Sequence, residues 1–581
     1  MNKLLLFLLS VFVSAFAFSQ TTSDSIVLNQ VGYYTHAPKI AVVKGNTTAD
    51  LFYVINTQKK DTAYKDTLSP LMHSSNSSTI TRIADFSEFT KNGNYYLYIP
   101  NVGNSYMFSI GKNANHAAAK AVLKGFYYIR SDMPLEEQYA GKWHRPAGHP
   151  DTAVLVHSSA VSPARPEGTV ISTPGGWYDA GDYNKYIVNS GITMGTLLSA
   201  YEDFSTYFDT LKTNIPESKD KVPDVLNEAI YNLRWMLTMQ DPNDGGVYHK
   251  CTNAAFDGMV MPGVTTLPRY VVQKGTAATL DFAAVTAQAA RILQRYKQQL
   301  PGLADSCLSA AQKAWQWAMK HPDAVYNQDA NNKLYKPAIT TGAYGDNNFK
   351  DEWFWAACEL YATTNDEQYW QTIVNADQHQ LTLPSWSNVY ALGIYTLLRT
   401  RPAKHQVEVE RITKQVTALA NDLLQKKDSN AFKTVMGGSV RDFNWGSNSN
   451  AANQGIALIN AYFITKDKKY IDGALSNLDY ILGRNATGYS FLTGIGSHST
   501  MHPHHRPSVA DNIEEPVPGL LAGGPNPGRQ DKCSGYQHFE PETCYLDSDC
   551  SYASNEIAIN WNAPLVYLAN AVEALQKKVG Y

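Results

Sequence analysis

Pro223-Asp224-Val225-Leu226-Asn227-Glu228-Ala229-Ile230-Tyr231-Asn232-Leu233-Arg234-Trp235-Met236-Leu237 sets Leu226, Ile230, Leu233 and Leu237 on one face of a helix that Pro223 is placed to open. The same period recurs from residue 116 onward and predicts twelve helices, at about 116–130, 188–207, 222–240, 276–298, 305–320, 350–363, 366–377, 384–399, 405–426, 449–464, 467–482 and 555–578. The connections alternate. Long stretches (131–187, 241–275, 321–349, 427–448 and 483–554) follow the first, third, fifth, ninth and eleventh helices. Shorter links, such as 364–365, 400–404 and 465–466, follow the even-numbered ones, the longest being 208–221. If neighbouring helices run antiparallel, every long loop falls at one end of the bundle, where function usually sits. Two concentric rings of helices also explain how residues 116–581 form one unit. The expected fold is therefore mainly α, an (α/α)6 barrel with a loop-built groove at one end.

Upstream, residues 24–112 read as about seven short strands, among them Ile40-Ala41-Val42-Val43, Leu51 to Ile55 and Tyr95 to Ile99, separated by turn formers such as Lys91-Asn92-Gly93-Asn94. This predicts a small immunoglobulin-like β-sandwich with a structural role. Residues 1–19 have the form of a secretory signal peptide: Lys3, an apolar run from Leu4 to Phe16, then Ala17-Phe18-Ser19 before Gln20. That run is too short to span a bilayer, and no later segment is long and apolar enough. Export to the periplasm or the extracellular medium is expected, without membrane insertion.

Of 581 residues, 44% are hydrophobic, which excludes general disorder. Lys+Arg 49 against Asp+Glu 52 leaves no electrostatic footprint for nucleic acid. The 36 Tyr and 11 Trp suit flat, neutral, hydroxyl-rich ligands. Cys533, Cys544 and Cys550 crowd one loop, where a disulfide is expected with its pairing open. Cys358, in an apolar helical run, reads as a buried thiol.

Three polar clusters lie on or beside the long loops. In Gly175-Gly176-Trp177-Tyr178-Asp179-Ala180-Gly181-Asp182-Tyr183-Asn184-Lys185-Tyr186, two carboxylates three apart sit among glycines and aromatic rings. Like charges so close raise one pKa, which favours proton handling; a calcium loop or a helix N-cap are the alternatives. His502-Pro503-His504-His505-Arg506-Pro507 offers donors to neutral hydroxyls, or else a metal site or a basic turn. The third runs from Tyr545-Leu546-Asp547 to Glu556, read as the start of an apolar helix. A carboxyl among apolar neighbours keeps its proton, as a general acid must, whereas a capping Glu would be acidified by the helix dipole. Together the clusters describe hydrolysis of an acetal between neutral sugars.

At these residues the sequence resembles glycoside hydrolase family 9, in the subgroup carrying an N-terminal immunoglobulin-like module, over nearly the whole chain. Val27-Leu28-Asn29-Gln30-Val31-Gly32-Tyr33 and Asp85-Phe86-Ser87-Glu88-Phe89 resemble that module's signatures. Gly176 to Asp182 is similar to the family's GWYDAGD stretch, Phe443 to Asn448 and Tyr480 to Asn485 to its late landmarks, Ser490 to Arg506 to its histidine signature and Tyr545 to Ala563 to its acidic one.

The resemblance implies an (α/α)6 barrel acting on β-1,4-glucans with inversion: a secreted endo-β-1,4-glucanase, or a xyloglucanase, mixed-linkage glucanase or exo-acting enzyme of the same family, or a sugar-binding protein without turnover. It implies Asp182 as the base, Asp179 as a second holder of the water, Glu556 as the acid and Asp547 as support for the acid loop. His504 and Arg506 become substrate-binding residues, with Trp177, Tyr178, His249, Trp386 and Trp445 as candidate groove residues. His498 departs from the Asn, Lys or Arg usual at its position, which points to an altered substrate contact. The loop from Arg130 to Pro150 holds no Cys, so the structural zinc of some relatives is not expected. Asp351 and Glu352 are plausible calcium ligands, or else a helix N-terminal acidic pair. No cofactor is required for the chemistry. The expected partner is a β-glucan polysaccharide or oligosaccharide, bound by a monomer.

Overall fold

Between Ile26 and Ile110 the chain forms β1 (Ile26–Val27), β2 (Gly32–Tyr33), β3 (Ile40–Lys44), β4 (Leu51–Asn56), β5 (Thr62–Thr67), β6 (Met72–His73), β7 (Ile80–Asp85), β8 (Gly93–Ile99), β9 (Gly103–Asn104) and β10 (Phe108–Ile110) in the computed structural model, which describes residues 22–376 and 380–581. The expected signal peptide lies outside the described residues. One sheet runs β1-β3-β7-β6 and the other β2-β10-β8-β4-β5, with β9 on β8. Alternation along the strands explains the packing: Phe52 and Val54 on β4 and Leu97 and Ile99 on β8 are buried between the sheets. Tyr33 meets Phe86 and Phe108 edge-on at 5.2 and 5.4 Å. This is the expected immunoglobulin-like sandwich. Of the strands not foreseen, β2, β6 and β9 are two residues long, and β5 (Thr-Ala-Tyr-Lys-Asp-Thr) is exposed and largely polar.

Twelve helices of nine or more residues follow among the described residues, close to the predicted positions. Ile187–Phe208, Thr276–Leu293, Lys350–Thr364, Tyr390–Thr400, Ser447–Thr465 and Ile559–Leu575 are buried on nearly all sides. They alternate in sequence with outer helices such as Leu303–Lys320 and Gln406–Gln425, whose buried residues are confined to one stripe. Six inside six is the (α/α)6 barrel.

The long loops carry a small sheet that the sequence reading passed over. It is built from β11 (Val154–Val156), β12 (Val170–Ile171), β13 (Lys185–Tyr186), β14 (Lys250–Asn253) and β15 (Arg269–Val271), in the order β12-β11-β15-β14-β13. Beneath it Asp151 joins Lys185 at 2.7 Å and Arg269 at 2.7 Å. Burial works against the Asp151 charge, but Arg269 and Lys185 outweigh it and lower the pKa to about 2.

The N-terminal sandwich lies on the outer helix Lys469–Ile481. Asn29 donates to Asp479 at 2.8 Å, Gln30 donates to the Gly488 carbonyl at 2.8 Å, and the His498 N–H donates to Gln30 at 2.7 Å. His498 therefore belongs to the seam between modules, where its ring packs on Tyr489 at 4.0 Å, and not to a substrate contact. The loop disulfide is Cys533–Cys550; Cys544 and Cys358 are buried thiols.

Candidate active site

At the loop end of the barrel an open groove of about 990 Å3 is lined by residues from all three polar clusters: Ala180 and Asp182, His504 and Arg506, Tyr552 and Glu556. Main-chain hydrogen bonds weave the three segments together. Ile559 N–H donates to the Asp179 carbonyl at 2.9 Å, Arg506 N–H to the Gly181 carbonyl at 3.2 Å, and His504 N–H to the Asn555 carbonyl at 2.9 Å.

The first cluster is a tight loop ahead of β13. Gly175 and Gly176 adopt φ of 75° and 84°, in the left-handed region, and a Cβ on Gly176 would lie 2.7 Å from the Trp235 ring. The turn points Asp179 inward and Asp182 into the groove. Asp179 is fully buried; its carboxylate accepts from Asn189 Nδ2 at 2.8 and 3.1 Å and from the Tyr344 hydroxyl at 2.9 Å. Burial, with the Asp182 charge adding to it, pushes its pKa well above the ordinary carboxylate range despite those donors. Asp182 accepts from the Asn184 N–H at 3.2 Å, from Asn184 Nδ2 and from the Tyr186 hydroxyl at 3.2 Å, all on Oδ2. Oδ1 has no protein partner among the described residues.

Glu556 is not in the first turn of a helix. It follows a short turn, Tyr552–Asn555, in extended backbone (φ −69°, ψ 157°), and the long helix starts at Ile559. The capping alternative, which would have acidified it, is thereby overturned. The side chain lines the groove and is partly exposed; desolvation, then the charges of Asp182 and Asp179, raise its pKa well above normal. The Gly181 N–H, at 3.4 Å from Oε1, only partly offsets this.

Asp547 does not line the groove. It accepts from the N–H groups of Met501 and His502, both at 2.8 Å, and from Asn555 Nδ2 at 3.1 Å, tying the histidine loop to the acid loop. His504 Nδ1 meets the Asp549 carbonyl, so Nδ1 bears the hydrogen; burial lowers the pKa and keeps the ring neutral. Its Nε2 is then left as an acceptor, where a donor was expected. Arg506 spends Nη1 on the Gly181 carbonyl at 2.6 Å, and Nε and Nη2 on the Asp257 carbonyl at 3.0 and 2.8 Å. It lines the groove while bonding to the loop that carries Asp182.

Trp386 and Trp445 line the groove, the latter 43% exposed and packed on Tyr552 at 5.5 Å. Trp177, Tyr178 and His249, expected there, stand behind its wall. Trp177 is fully buried against Phe126 at 4.6 Å. The Tyr178 hydroxyl bonds His149 at 2.9 Å. His249, its pKa lowered to about 3 by burial, stacks on Tyr326 and donates from Nε2 to the Ala343 carbonyl at 2.8 Å, propping the loop before Tyr344. The sequence reading missed Tyr344, Phe256 and Trp561 on the groove and Asn189 beneath it. Asn189 had a positional signal, ten residues past Asp179 in the next helix; Tyr344 had only its glycine-rich setting, Gly342 to Gly345.

Asp351 and Glu352 open the buried helix Lys350–Thr364 opposite Asp281. Both carboxylate oxygens of Asp281 and of Glu352 are buried without a hydrogen-bond partner. Burial, then repulsion from Asp351 and Asp346 on both and from Asp281 on Glu352, push both pKa values well above normal. Among the described residues no three His, Cys, Asp or Glu side chains form a ready metal cage. Oxygen-only donors left unpaired nonetheless match a calcium ion, which completes its shell with carbonyls and water.

A family profile described as glycosyl hydrolase family 9 matches residues 116–569, and one described as the cellulase N-terminal ig-like domain matches residues 21–104. A xyloglucan-specific endo-beta-1,4-glucanase of Bacteroides ovatus, BoGH9A, is 46% identical over 559 residues, covering 95% of this chain and 94% of that protein. Endoglucanase D of Acetivibrio thermocellus is 34% identical over 550 residues, covering 93% and 82%. Among solved structures, a Bacteroides ovatus family 9 enzyme superposes with a TM-score of 0.90 at 45% identity, covering 95% of this chain and 99% of that one. A thermostable endoglucanase from Alicyclobacillus acidocaldarius gives 0.83 at 28% identity, with 95% and 99% covered. The chain is a glycoside hydrolase, and it belongs to glycosyl hydrolase family 9, with the immunoglobulin-like module at its N-terminus.

Proposed function

We propose that the chain is an inverting endo-β-1,4-glucanase in which Glu556 is the general acid and Asp182 the general base. One observation carries the assignment: Glu556 and Asp182 line the same open groove, one with its charge disfavoured by desolvation and neighbouring carboxylates, the other presenting an unpartnered oxygen. Glu556 gives its proton to the glycosidic oxygen as the bond to the anomeric carbon breaks. Asp182 Oδ1 takes a proton from the water that attacks the opposite face of the sugar, and that water's oxygen becomes the new anomeric hydroxyl. Asp179 supports the water from below, His504 accepts a sugar hydroxyl, and Trp386 and Trp445 stack on the apolar faces of glucose rings, each stack contributing about 1 kcal/mol.

The test is reducing-sugar release from carboxymethyl cellulose by the wild type, Glu556→Gln and Asp182→Asn, with the anomer of the first product read by NMR. Loss of rate in both variants and an α-anomer product are expected; a β-anomer, or either variant at the wild-type rate, rejects the reading. The 46% identical relative named for xyloglucan favours a branched glucan as the second reading. A higher kcat/KM on xyloglucan than on carboxymethyl cellulose would select it.

The unpaired Asp281 and Glu352 carboxylates support a calcium ion near the start of the helix Lys350–Thr364, its shell to be completed by carbonyls and water. Removing it with a chelator should lower the melting temperature, and added calcium should restore it. The N-terminal signal supports export to the periplasm or the medium, and no helix among the described residues is long and apolar enough to cross a membrane.

A further inference from the structure

Asn184 has hydrogen bonds on all of its polar groups. Its side-chain oxygen accepts from the Thr252 hydroxyl and from the Asn253 N–H, each at 2.9 Å. Its carbonyl accepts the Asp179 N–H at 3.1 Å. Its own N–H and its Nδ2 both donate to Asp182 Oδ2. The Asn253 N–H on the amide oxygen fixes which end of the amide faces the carboxylate, so the NH2 end meets Asp182; the Thr252 hydroxyl, whose single hydrogen is also within reach of the Asn253 carbonyl at 2.8 Å, adds to this. The clamp is itself anchored: Thr252, on β14, meets the Thr341 hydroxyl at 2.7 Å, and Thr341 accepts from Lys250 Nζ at 3.0 Å. Thr341 belongs to the groove wall, so strand, wall and base are one hydrogen-bonded unit.

We propose that Asn184 is a positioning residue for the reaction, its locked amide pinning Oδ2 of Asp182 so that Oδ1 alone is presented to the attacking water. Tyr186, the third donor on Oδ2, completes the restraint. A carboxylate held by three donors on one oxygen does not rotate, and the free oxygen keeps a fixed line toward the anomeric carbon. The inference rests on Asp182 being the base.

The test uses the full chain with carboxymethyl cellulose and with an aryl β-cellobioside whose leaving group needs no acid. Asn184→Ala and the isosteric Asn184→Asp should each lower kcat by about 10- to 100-fold on both substrates with KM within about twofold. Thr252→Val, which removes one clamp and leaves the amide, should lower kcat in the same direction by a smaller factor. Glu556→Gln should regain rate on the aryl substrate, where the Asn184 variants do not. Wild-type kcat in both Asn184 variants, or losses matched by equal changes in KM or by a collapse in melting temperature, would overturn the proposal. If Asp182→Asn is inactive while the Asn184 variants are not, only the positioning role falls. If Asp182→Asn keeps full rate, the assignment of the base falls with it.

Discussion

Gly181 is pressed against His504: a Cβ added to Gly181 would overlap the His504 carbonyl oxygen and lie 2.8 Å from the ring Cδ2. Through the same glycine the base and acid loops meet, because its N–H points at Glu556 and its carbonyl accepts from Arg506. The nearest of these atoms is backbone, which cannot swing away as a side chain can. Gly181→Ala should therefore displace the loop carrying Asp182 or the one carrying His504, and kcat should fall by about 100-fold, the cost of a misplacement near 1 Å. Steady-state kinetics beside a melting curve check this; an active, fully stable variant would mean the loops yield freely.

The desolvated carboxyl of Glu556 predicts a trade of stability for function. Its pKa is raised in the folded state well above the ordinary glutamate value. The linked stability is complete below that value and is lost as pH rises through the folded pKa, because the native site resists the charge. Glu556→Gln removes the titration, so the inactive variant should melt at a higher temperature than the wild type at pH 8 and at nearly the same temperature at pH 4. A lower melting temperature at pH 8 would place the carboxylate in a stabilising contact instead.

Where the sequence spoke plainly, periodicity was the voice. Leu226, Ile230 and Leu233 announce a helix because a 3.6-residue period survives any tertiary context, and the alternation of loop lengths placed the groove. The small sheet of β11 to β15 stayed hidden because its strands are two to four residues long and pair across long sequence gaps. The fate of aromatics was equally illegible. Trp177 and Trp445 look alike in sequence, yet one is buried on Phe126 and the other stands 43% exposed, a difference set by which loop packs over each. Glu556 was read as a helical residue because apolar residues follow it at once; the extended backbone that frees it from the helix dipole is a tertiary feature, fixed by Gly523 N–H on its carbonyl at 2.8 Å.

Asn29 gives a test of the seam between the modules. It donates to Oδ1 of Asp479, whose other oxygen meets Arg484 at 3.1 Å. Burial raises the Asp479 pKa to about 6, with Arg484 and Asn29 resisting the rise. Asn29→Ala leaves a buried acceptor without its donor, a cost of about 1–3 kcal/mol. The lost bond favoured the charged form, so the folded pKa should climb further and the penalty should be larger at pH 8 than at pH 5. Denaturant melts at the two pH values check it, and an equal loss at both would exclude the charged carboxylate as the cause.

The disulfide makes the last prediction, because it closes a loop between two groove residues. Cys533 and Cys550 are 17 positions apart, with Gln530 just before one and Tyr552 just after the other, both on the groove wall. The Tyr552 hydroxyl donates to the Gln530 carbonyl at 3.0 Å, and Asp531 Oδ2 accepts from Tyr536, from Ser551 and from the Ala553 N–H, so the loop base is held without the bridge. Cys533→Ala with Cys550→Ala should then cost stability through the freer unfolded chain, about 3 kcal/mol for a loop of this length. The groove should keep its shape below the melting temperature, leaving kcat and KM within about twofold on the polymer and on a short oligosaccharide alike. Thermal melts and paired Michaelis–Menten curves separate the two effects. A large fall in kcat on the short substrate would instead mean that the bridge reaches Glu556, six residues beyond Cys550, and orders the acid itself.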